Sequence, residues 1–377
     1  MLYICRQFYQ YQQPNTENLM SLHTHPIKIR NVQKNTKEAI TIEFEIPDRL
    51  KSEFDYEPGQ YLTLEVEIDG KRERRAYSMC TSPLSDLHPA VTIKRLKGGK
   101  VSNYLNDTAK EGQILQVLPP LGNFLVHLNE NHRKQYFLFG GGSGITPLMS
   151  ILKAIISFEK NSTIALLYGN HEKDSIIFYN ELAALQNQFP ERFTLTHALS
   201  IPSSLADGNA LSGRIDADKV KQFLQKHNNA DLEQEYYICG PEGMIRTVDE
   251  TLKSIPVGFL YIHKEYFVLE EKAKDPETVV AIENNGATKV TIIIDQQEHQ
   301  IEVNPNESIL DAALDNNIDA PFSCMSAACA TCRAKVLSGE VVMDDSEMLS
   351  EKELAENYIL TCQAHPTTPN VVITYDV

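Results

Sequence analysis

Cys324-Met325-Ser326-Ala327-Ala328-Cys329-Ala330-Thr331-Cys332 packs three thiols into one short loop, and Cys362 supplies a fourth far downstream. The intervals of four, two and twenty-nine intervening residues suit a single loop that wraps two irons with three thiolates while a distant strand brings the last one. A structural zinc site would more usually show two close Cys-x-x-Cys pairs. The small residues Ser323, Ser326, Ala327, Ala328, Ala330 and Thr331 let backbone N–H groups approach inorganic sulfides. The stretch therefore predicts a [2Fe-2S] cluster ligated by Cys324, Cys329, Cys332 and Cys362. Around it, Lys289–Ile294 and Gln300–Val303 alternate like strands across a turn near Asp295, and Ser308–Asn316 has the pattern of a helix. These elements predict a compact α+β unit over 286–377, preceded by a polar linker over 269–285.

Upstream of the linker, apolar strands alternate with helical stretches. Tyr136-Phe137-Leu138-Phe139 leads into Gly140-Gly141-Gly142-Ser143-Gly144-Ile145-Thr146-Pro147 and then a helix to Ile156, and further strands read at Thr163–Tyr168, Phe193–Leu199 and Glu235–Ile238. This order predicts a doubly wound parallel α/β domain over 131–268. A glycine loop between strand and helix suits a dinucleotide or phosphate, although Ile145 stands where Gly-x-Gly-x-x-Gly would place its last glycine, and a plain tight turn is the alternative. Cys239-Gly240-Pro241 follows the Ile238 strand, so its thiol emerges at the carboxyl edge of the sheet, where ligands bind. On its own, Cys239 reads better as a buried structural cysteine.

Residues 22–130 show short alternating runs such as Ala39–Phe44 and Tyr61–Val66, punctuated by Pro58-Gly59, Asp69-Gly70 and Gly98-Gly99. An antiparallel β-barrel is the simplest architecture. Arg72, Arg74 and Arg75 precede Ala76-Tyr77-Ser78; an arginine fork suits phosphate and a tyrosine face suits a flat ring, but a solvated basic turn is the simpler reading. Gly98-Gly99-Lys100-Val101-Ser102 is a weaker anion-loop candidate, and taken alone it reads better as a plain hairpin. Residues 1–21 lack periodicity and form an extension without an assigned role.

Composition narrows the class. The chain has 377 residues, enough for two or three domains at roughly 100 to 200 each; 42% hydrophobic and 23% charged residues are ordinary for folded proteins. A net charge of −16 argues against a nucleic-acid partner. No apolar run approaches membrane-spanning length and no secretory signal is present, so no membrane partner and a cytoplasmic location are expected. Seven cysteines, without an export signal, argue against a disulfide framework. Residues 286–377 hold 15 Asp and Glu against 4 Lys and Arg, so most of the negative charge sits with the cysteine cluster.

Arg75-Ala76-Tyr77-Ser78, the Gly140–Pro147 loop, Cys239-Gly240-Pro241-Glu242-Gly243-Met244 and the four-cysteine tail, in that order, resemble the ferredoxin–NADP reductase superfamily with a plant-type ferredoxin fused at the C-terminus. The match runs from about Leu22 to the end. The resemblance implies a flavin barrel, a nucleotide domain and a β-grasp ferredoxin domain, with FAD, NADPH or NADH, and [2Fe-2S] as cofactors. It implies an oxidoreductase that passes electrons singly to a separate oxygenase, expected to hold a di-iron centre; a reductase for another di-iron hydroxylase, a desaturase or a Rieske oxygenase is the first rival, and a redox-sensing carrier that binds nucleotide without turnover is the second.

The same resemblance assigns roles. Arg75 would hold flavin phosphate, Tyr77 would flank the isoalloxazine, Ser78 would sit near flavin N5, and Gly99, Val101 and Ser102 would meet the pyrophosphate. Gly141, Gly142, Gly144 and Thr146 would bind the nicotinamide nucleotide, with Cys239, Gly240 and Pro241 beside its ring. Glu265 and Phe267, in His263-Lys264-Glu265-Tyr266-Phe267, match the carboxylate and aromatic ring that approach the flavin; without the resemblance, Glu265 reads as an exposed strand end. The sequence departs from the family at Ala327 and Ala330, where many such loops carry glycine. Asn170-His171 and Ser200-Ile201 also lack the arginines that NADPH-preferring relatives often place there, which brings NADH into play.

Overall fold

The computed structural model describes residues 23–201, 210–229, 231–255, 261–267, 286–322, 325, 327, 330–346 and 348–376. The expected extension over 1–21 and linker over 269–285 lie outside the described residues, as do Cys324 and Cys329.

The first unit comprises β1 His25–Thr36, β2 Ala39–Glu45, β3 Tyr61–Ile68, β4 Lys71–Ser78, β5 Ala90–Lys94, α1 Lys100–Thr108 and β6 Ile114–Val117. Its strands run antiparallel in the order β4-β3-β6-β1-β2-β5, and a Met79–Val91 bridge joins the two ends. That bridge curls the sheet toward a barrel at one end of β4 and β5. In β2, Ile40, Ile42 and Phe44 turn inward while Glu43 and Glu45 do not, the two-residue period of a half-buried strand. Asp69 and Gly70, both at positive φ, make the tight β3–β4 turn.

The second unit comprises β7 Lys134–Gly141, α2 Ile145–Phe158, β8 Thr163–Asn170, α3 Tyr179–Gln188, β9 Phe193–Leu199, β10 Ala210–Ser212, α4 Ala217–His227, β11 Glu233–Cys239, α5 Glu242–Lys253 and β12 Tyr261–Glu265. All pairings are parallel, in the order β10-β9-β8-β7-β11-β12. The chain builds outward from β7 to β10, then crosses to place β11 on the other side. That reversal opens a crevice at the carboxyl ends of β7 and β11. Helix α2 is buried almost all round, because one side faces the sheet and the other faces the barrel. Its Ser150 donates to the carbonyl of Thr81 at 2.6 Å. One continuous apolar core joins Cys80, Phe124 and Val126 of the first unit to Ile151, Tyr237 and Cys239 of the second, so barrel and sheet are seated as one body.

The third unit comprises β13 Thr288–Ile294, β14 Gln297–Val303, α6 Ile309–Asp315, β15 Arg333–Ser338, β16 Val341–Met343, α7 Glu351–Ala355, β17 Tyr358–Leu360, β18 Ala364–Pro366 and β19 Val371–Thr374. Five strands form a mixed sheet, β14-β13-β19-β15-β17, in which only β13 and β19 are parallel. With α6 packed on it, this is the expected β-grasp arrangement around its own core. Asp295 and Gln296 turn at positive φ between β13 and β14, and Asp376 accepts both their N–H groups at 2.8 Å. Ser308 caps α6 by accepting from the Asp311 N–H at 3.0 Å.

Gly98-Gly99 corrects the hairpin reading. Gly99 stands at the N-cap of α1, so Lys100, Val101 and Ser102 form a helical first turn. Asn103 Nδ2 donates back to the carbonyls of Gly99 at 2.6 Å and Leu96 at 3.0 Å, and Leu96 N–H donates to Ser102 Oγ. These bonds hold the preceding loop against the helix and leave the first N–H groups of α1 without a side-chain cap.

Candidate functional site

The glycine loop after β7 and the Cys239-Gly240-Pro241 segment after β11 meet at the crevice, with Gly140 and Cys239 as register partners. A Cβ on Gly144 would lie 2.1 Å from the Cys239 carbonyl oxygen, one on Gly141 2.6 Å from Pro241 Cδ, and one on Gly240 2.6 Å from Met244 Cε. These glycines are small because two backbone segments press together. Gly142, at positive φ, instead faces outward, and Lys94 Nζ at the end of β5 comes within 3.5 Å of the Cβ it lacks. Thr146 is buried in the first turn of α2 and donates to the Ser143 carbonyl at 3.0 Å.

Strand β12 brings Glu265 to the same place. Cys239 and Glu265 are register partners on adjacent strands. The short strand is anchored by His263, which stacks on Tyr237 at 4.4 Å and reaches Glu235 at 3.1 Å. Lys264 donates to Asp249 of α5 at 3.0 Å. Glu235 also accepts from Tyr237 at 2.7 Å and Lys134 at 3.0 Å, and those partners hold its carboxyl down at about 2 against the pull of burial. Glu265 has the opposite environment: its Oε2 is enclosed and makes no hydrogen bond, and burial pushes its carboxyl up to about 8. It is thus a neutral acid at neutral pH, which corrects the exposed strand-end reading. Cys239 is fully buried, and burial, reinforced by the nearby Glu265 carboxylate, pushes its thiol well above the ordinary range. A thiol so held is no thiolate nucleophile. Phe267 packs on the shared core that contains Cys239 and Phe124.

On the barrel, Ser78 closes β4 as the register partner of Tyr61 and is buried, while Tyr77 is half-buried. The basic stretch is not the solvated turn of the simpler reading. Arg72 is exposed, but Arg74 is 4% exposed and Arg75 half-buried. Arg75 donates to the Arg74 carbonyl at 2.6 Å and to Met325 Sδ at 3.5 Å, and pairs with Glu73 at 3.2 Å. Gly99, Val101 and Ser102 sit at the start of α1, where free backbone N–H groups favour an anion.

In the third unit Cys332 and Cys362 are both buried. Thr361 ties their segments together, giving its N–H to the Cys332 carbonyl at 3.1 Å and its hydroxyl to the same oxygen at 2.9 Å. The Tyr375 hydroxyl donates to Thr361 Oγ1 at 2.8 Å. Met325, Ala327 and Ala330 have φ of 56°, 56° and 54°, a left-handed backbone that costs side-chain-bearing residues about 1 kcal/mol or more each. This is the demand expected where alanine replaces glycine. Two buried cysteines on segments tied by Thr361, with positive φ at Met325, Ala327 and Ala330, fit an iron–sulfur cluster. The sequence signal for Thr361 was only its place beside Cys362; nothing marked Glu235, Lys94 or the burial of Arg74.

A flavin-type barrel, a nucleotide crevice and a cysteine-rich β-grasp unit on one chain define a pyridine-nucleotide-dependent flavin and iron–sulfur oxidoreductase. Family models match all three units: an oxidoreductase FAD-binding domain over residues 26–125, an oxidoreductase NAD-binding domain over 138–250 and a 2Fe-2S iron-sulfur cluster binding domain over 292–367. The chain is similar to a component of the 1,2-phenylacetyl-CoA epoxidase of Escherichia coli K12, at 35% identity across 93% of this chain and 98% of that one. It is also similar to the 3-ketosteroid-9-alpha-monooxygenase ferredoxin reductase component of Rhodococcus rhodochrous, at 32% identity across 93% and 96%. The solved structure of phthalate dioxygenase reductase shares the fold, with a TM-score of 0.61 at 23% identity across 93% and 98% of the two chains. The chain belongs to the family of FAD- and NAD-binding reductases that carry a C-terminal 2Fe-2S domain. No helix among the described residues is long and apolar enough to cross a membrane.

Proposed function

We propose that the chain is the NAD(P)H-dependent reductase component of an oxygenase system, with a phenylacetyl-CoA epoxidase and its di-iron centre as the electron acceptor. The observation that carries this reading is the end-to-end similarity to the epoxidase component, set on a chain whose nucleotide crevice and cysteine segment both adjoin the same barrel. A reductase for another oxygenase is the second reading, favoured by the 3-ketosteroid-9-alpha-monooxygenase relative. Capture from native lysate tests the choice: co-purification of an epoxidase supports the first, and of another oxygenase alone the second. A cytoplasmic location belongs to the same proposal, since cluster thiolates need reducing surroundings.

Nicotinamide, flavin and cluster supply the redox chemistry when bound, and the protein positions their edges and controls access. Arg75 and Tyr77 are assigned to flavin phosphate and ring, Ser78 to the ring edge, and Gly99, Val101 and Ser102 to the pyrophosphate. Gly141, Gly142, Gly144 and Thr146 are assigned to the nicotinamide nucleotide, with Gly240, Pro241 and Cys239 beside its ring and Phe267 against the flavin. Cys324, Cys329, Cys332 and Cys362 are assigned to the cluster. The backbone pairing of Asn170-His171 with Ser200-Ile201 brings the two arginine-free positions together, which supports NADH over NADPH. Domain limits of 22–130, 131–268 and 286–377 complete the assignment.

Glu265 is assigned to hold a proton at its enclosed carboxyl. Replacing Cys239 with Ala is expected to slow flavin reduction much more than it weakens nucleotide binding, because the transfer depends on near-contact geometry. Single-turnover absorbance measures it, and an unchanged rate would leave Cys239 a packing residue. Glu265 gives a signed pH effect. The folded protein keeps its proton up to about pH 8 whereas a free glutamate loses it near 4.5, so its contribution to stability is fully present below about 4.5 and lost as pH rises through about 8. Thermal melting across that range is expected to fall less steeply in Glu265→Gln than in the parent protein.

The acidic third unit carries a further expectation. Asp344, Asp345, Glu347, Glu351, Glu353 and Glu356 lie between the third and fourth cysteines in sequence, Glu347 outside the described residues, and charge near an exit site steers encounter more than it adds affinity. Turnover with the oxygenase is expected to fall as added salt shortens the Debye length below about 10 Å, while reduction of a neutral dye stays constant. A parallel response of both rates would make the acidic face a solubilising surface only.

A further inference from the structure

Strand β4 carries Lys71, Arg72, Arg74 and Arg75, yet Arg74 is only 4% exposed. On the barrel side its guanidinium is held by its cross-strand neighbour Glu65, which accepts from Nε at 2.6 Å. Two further contacts come from the third unit. Asp319 lies 3.5 Å from Nη2, and the guanidinium stands over the Phe322 ring at 4.7 Å. Neighbouring contacts follow the same seam: Lys71 pairs with Asp315 at 3.5 Å, Arg75 reaches Met325 Sδ at 3.5 Å, and the Tyr61 and Thr331 hydroxyls lie 3.4 Å apart. Among the described residues, Asp315, Asp319, Phe322 and Met325 of the third unit therefore meet β4, and Thr331 meets Tyr61 of β3.

We propose that Arg74 is the positioning residue that holds the cluster loop on the barrel and thereby sets the separation between the flavin and cluster sites. This rests on the cofactor assignment above. A guanidinium removed from water must be paired on each face. Arginine meets that need with a planar fork for Glu65 and Asp319 and a flat face for Phe322, which an ammonium cannot reproduce. The geometry also explains why the position matters. Four residues beyond Arg74 on the same strand lies Ser78, so a shift of the loop along β4 changes the distance between the two redox sites directly. The basic strand meets Asp315 and Asp319 of the acid-rich unit, so the seam is matched in charge as well as shape.

The test compares the full-length holoprotein with Asp319→Asn, Phe322→Leu and Arg74→Lys, the first two of which leave the Arg74–Glu65 pair intact. Bleaching of the flavin band by NADH is expected to be unchanged, whereas the following electron transfer to the cluster slows about tenfold as the two redox sites lose their fixed separation. Amide hydrogen exchange over residues 315–322 should rise in the variants, both with cofactors and after their removal. Arg74→Lys should show both changes despite its retained charge, because an ammonium offers neither the fork nor the flat face. Absence of a prosthetic group from the parent protein would overturn the functional reading, and the exchange comparison would still decide the docking. Unchanged internal transfer and unchanged exchange in all three variants would overturn the role of Arg74.

Discussion

Replacing Cys332 with Ser is expected to remove most of the iron and the visible iron–sulfur absorbance while FAD stays bound. Cys332 is 2% exposed, its carbonyl accepts both bonds from Thr361, and it lies in a core separate from that of the barrel. A thiolate that helps to hold a metal couples folding of its own unit to metal content, and a unit with its own core can lose that coupling without unfolding its neighbour. Nicotinamide-driven bleaching of the flavin should survive, whereas reduction of any acceptor served through the cluster should fall to background. Iron analysis and a visible spectrum measure the effect. Full iron content in the variant would remove Cys332 from the ligand set.

Gly144→Ala is expected to slow flavin reduction by the nicotinamide nucleotide by about a hundredfold, the scale that follows a misplacement of about 1 Å in a reacting pair. The added methyl would meet the Cys239 carbonyl oxygen at 2.1 Å and the Gly240 nitrogen at 2.7 Å. Both are backbone atoms, so relief requires the start of α2 or the end of β11 to move. Either movement displaces Thr146 or Cys239 from the crevice. Gly243→Ala is the matched control, since nothing lies within 4 Å of its added methyl. Retained FAD and iron with slow reduction is the expected pattern, and normal reduction in Gly144→Ala would show that the crevice is not where the nucleotide acts.

Local chemistry made much of this molecule legible. Period-two runs at Ala39–Phe44 and Tyr61–Val66, the all-apolar strand at Tyr136–Phe139 and the helix from Ser308 to Asn316 each carry their own pattern, and the structure places β2, β3, β7 and α6 there. The steric cost at Ala327 and Ala330 was legible too, and both residues do adopt positive φ. The start of α1 was not, because two glycines without a Ser, Thr, Asp or Asn cap look like a turn until Asn103 folds back on them. Burial by a distant segment was equally hidden. Glu265 becomes a neutral acid only when β12 docks on β11, and Arg74 is covered by residues almost 250 positions later in the chain. The glycine loop was recognisable as a candidate site, but its glycines answer chiefly to Cys239, Pro241 and Met244 across the crevice. Spacing within one segment reveals thiolates and turns; close packing between segments emerges only from the sheet order.

The central claim is that one chain carries electrons from NAD(P)H through a flavin to its own cluster. Anaerobic rapid-mixing spectroscopy of the holoprotein with NADH tests it most directly, followed by low-temperature electron paramagnetic resonance of the product. The flavin band is expected to bleach first, with the cluster absorbance falling afterwards and a reduced [2Fe-2S] resonance appearing. A cluster that stays oxidised while the flavin is fully reduced, or a flavin band that NADH and NADPH both leave intact, would contradict the account.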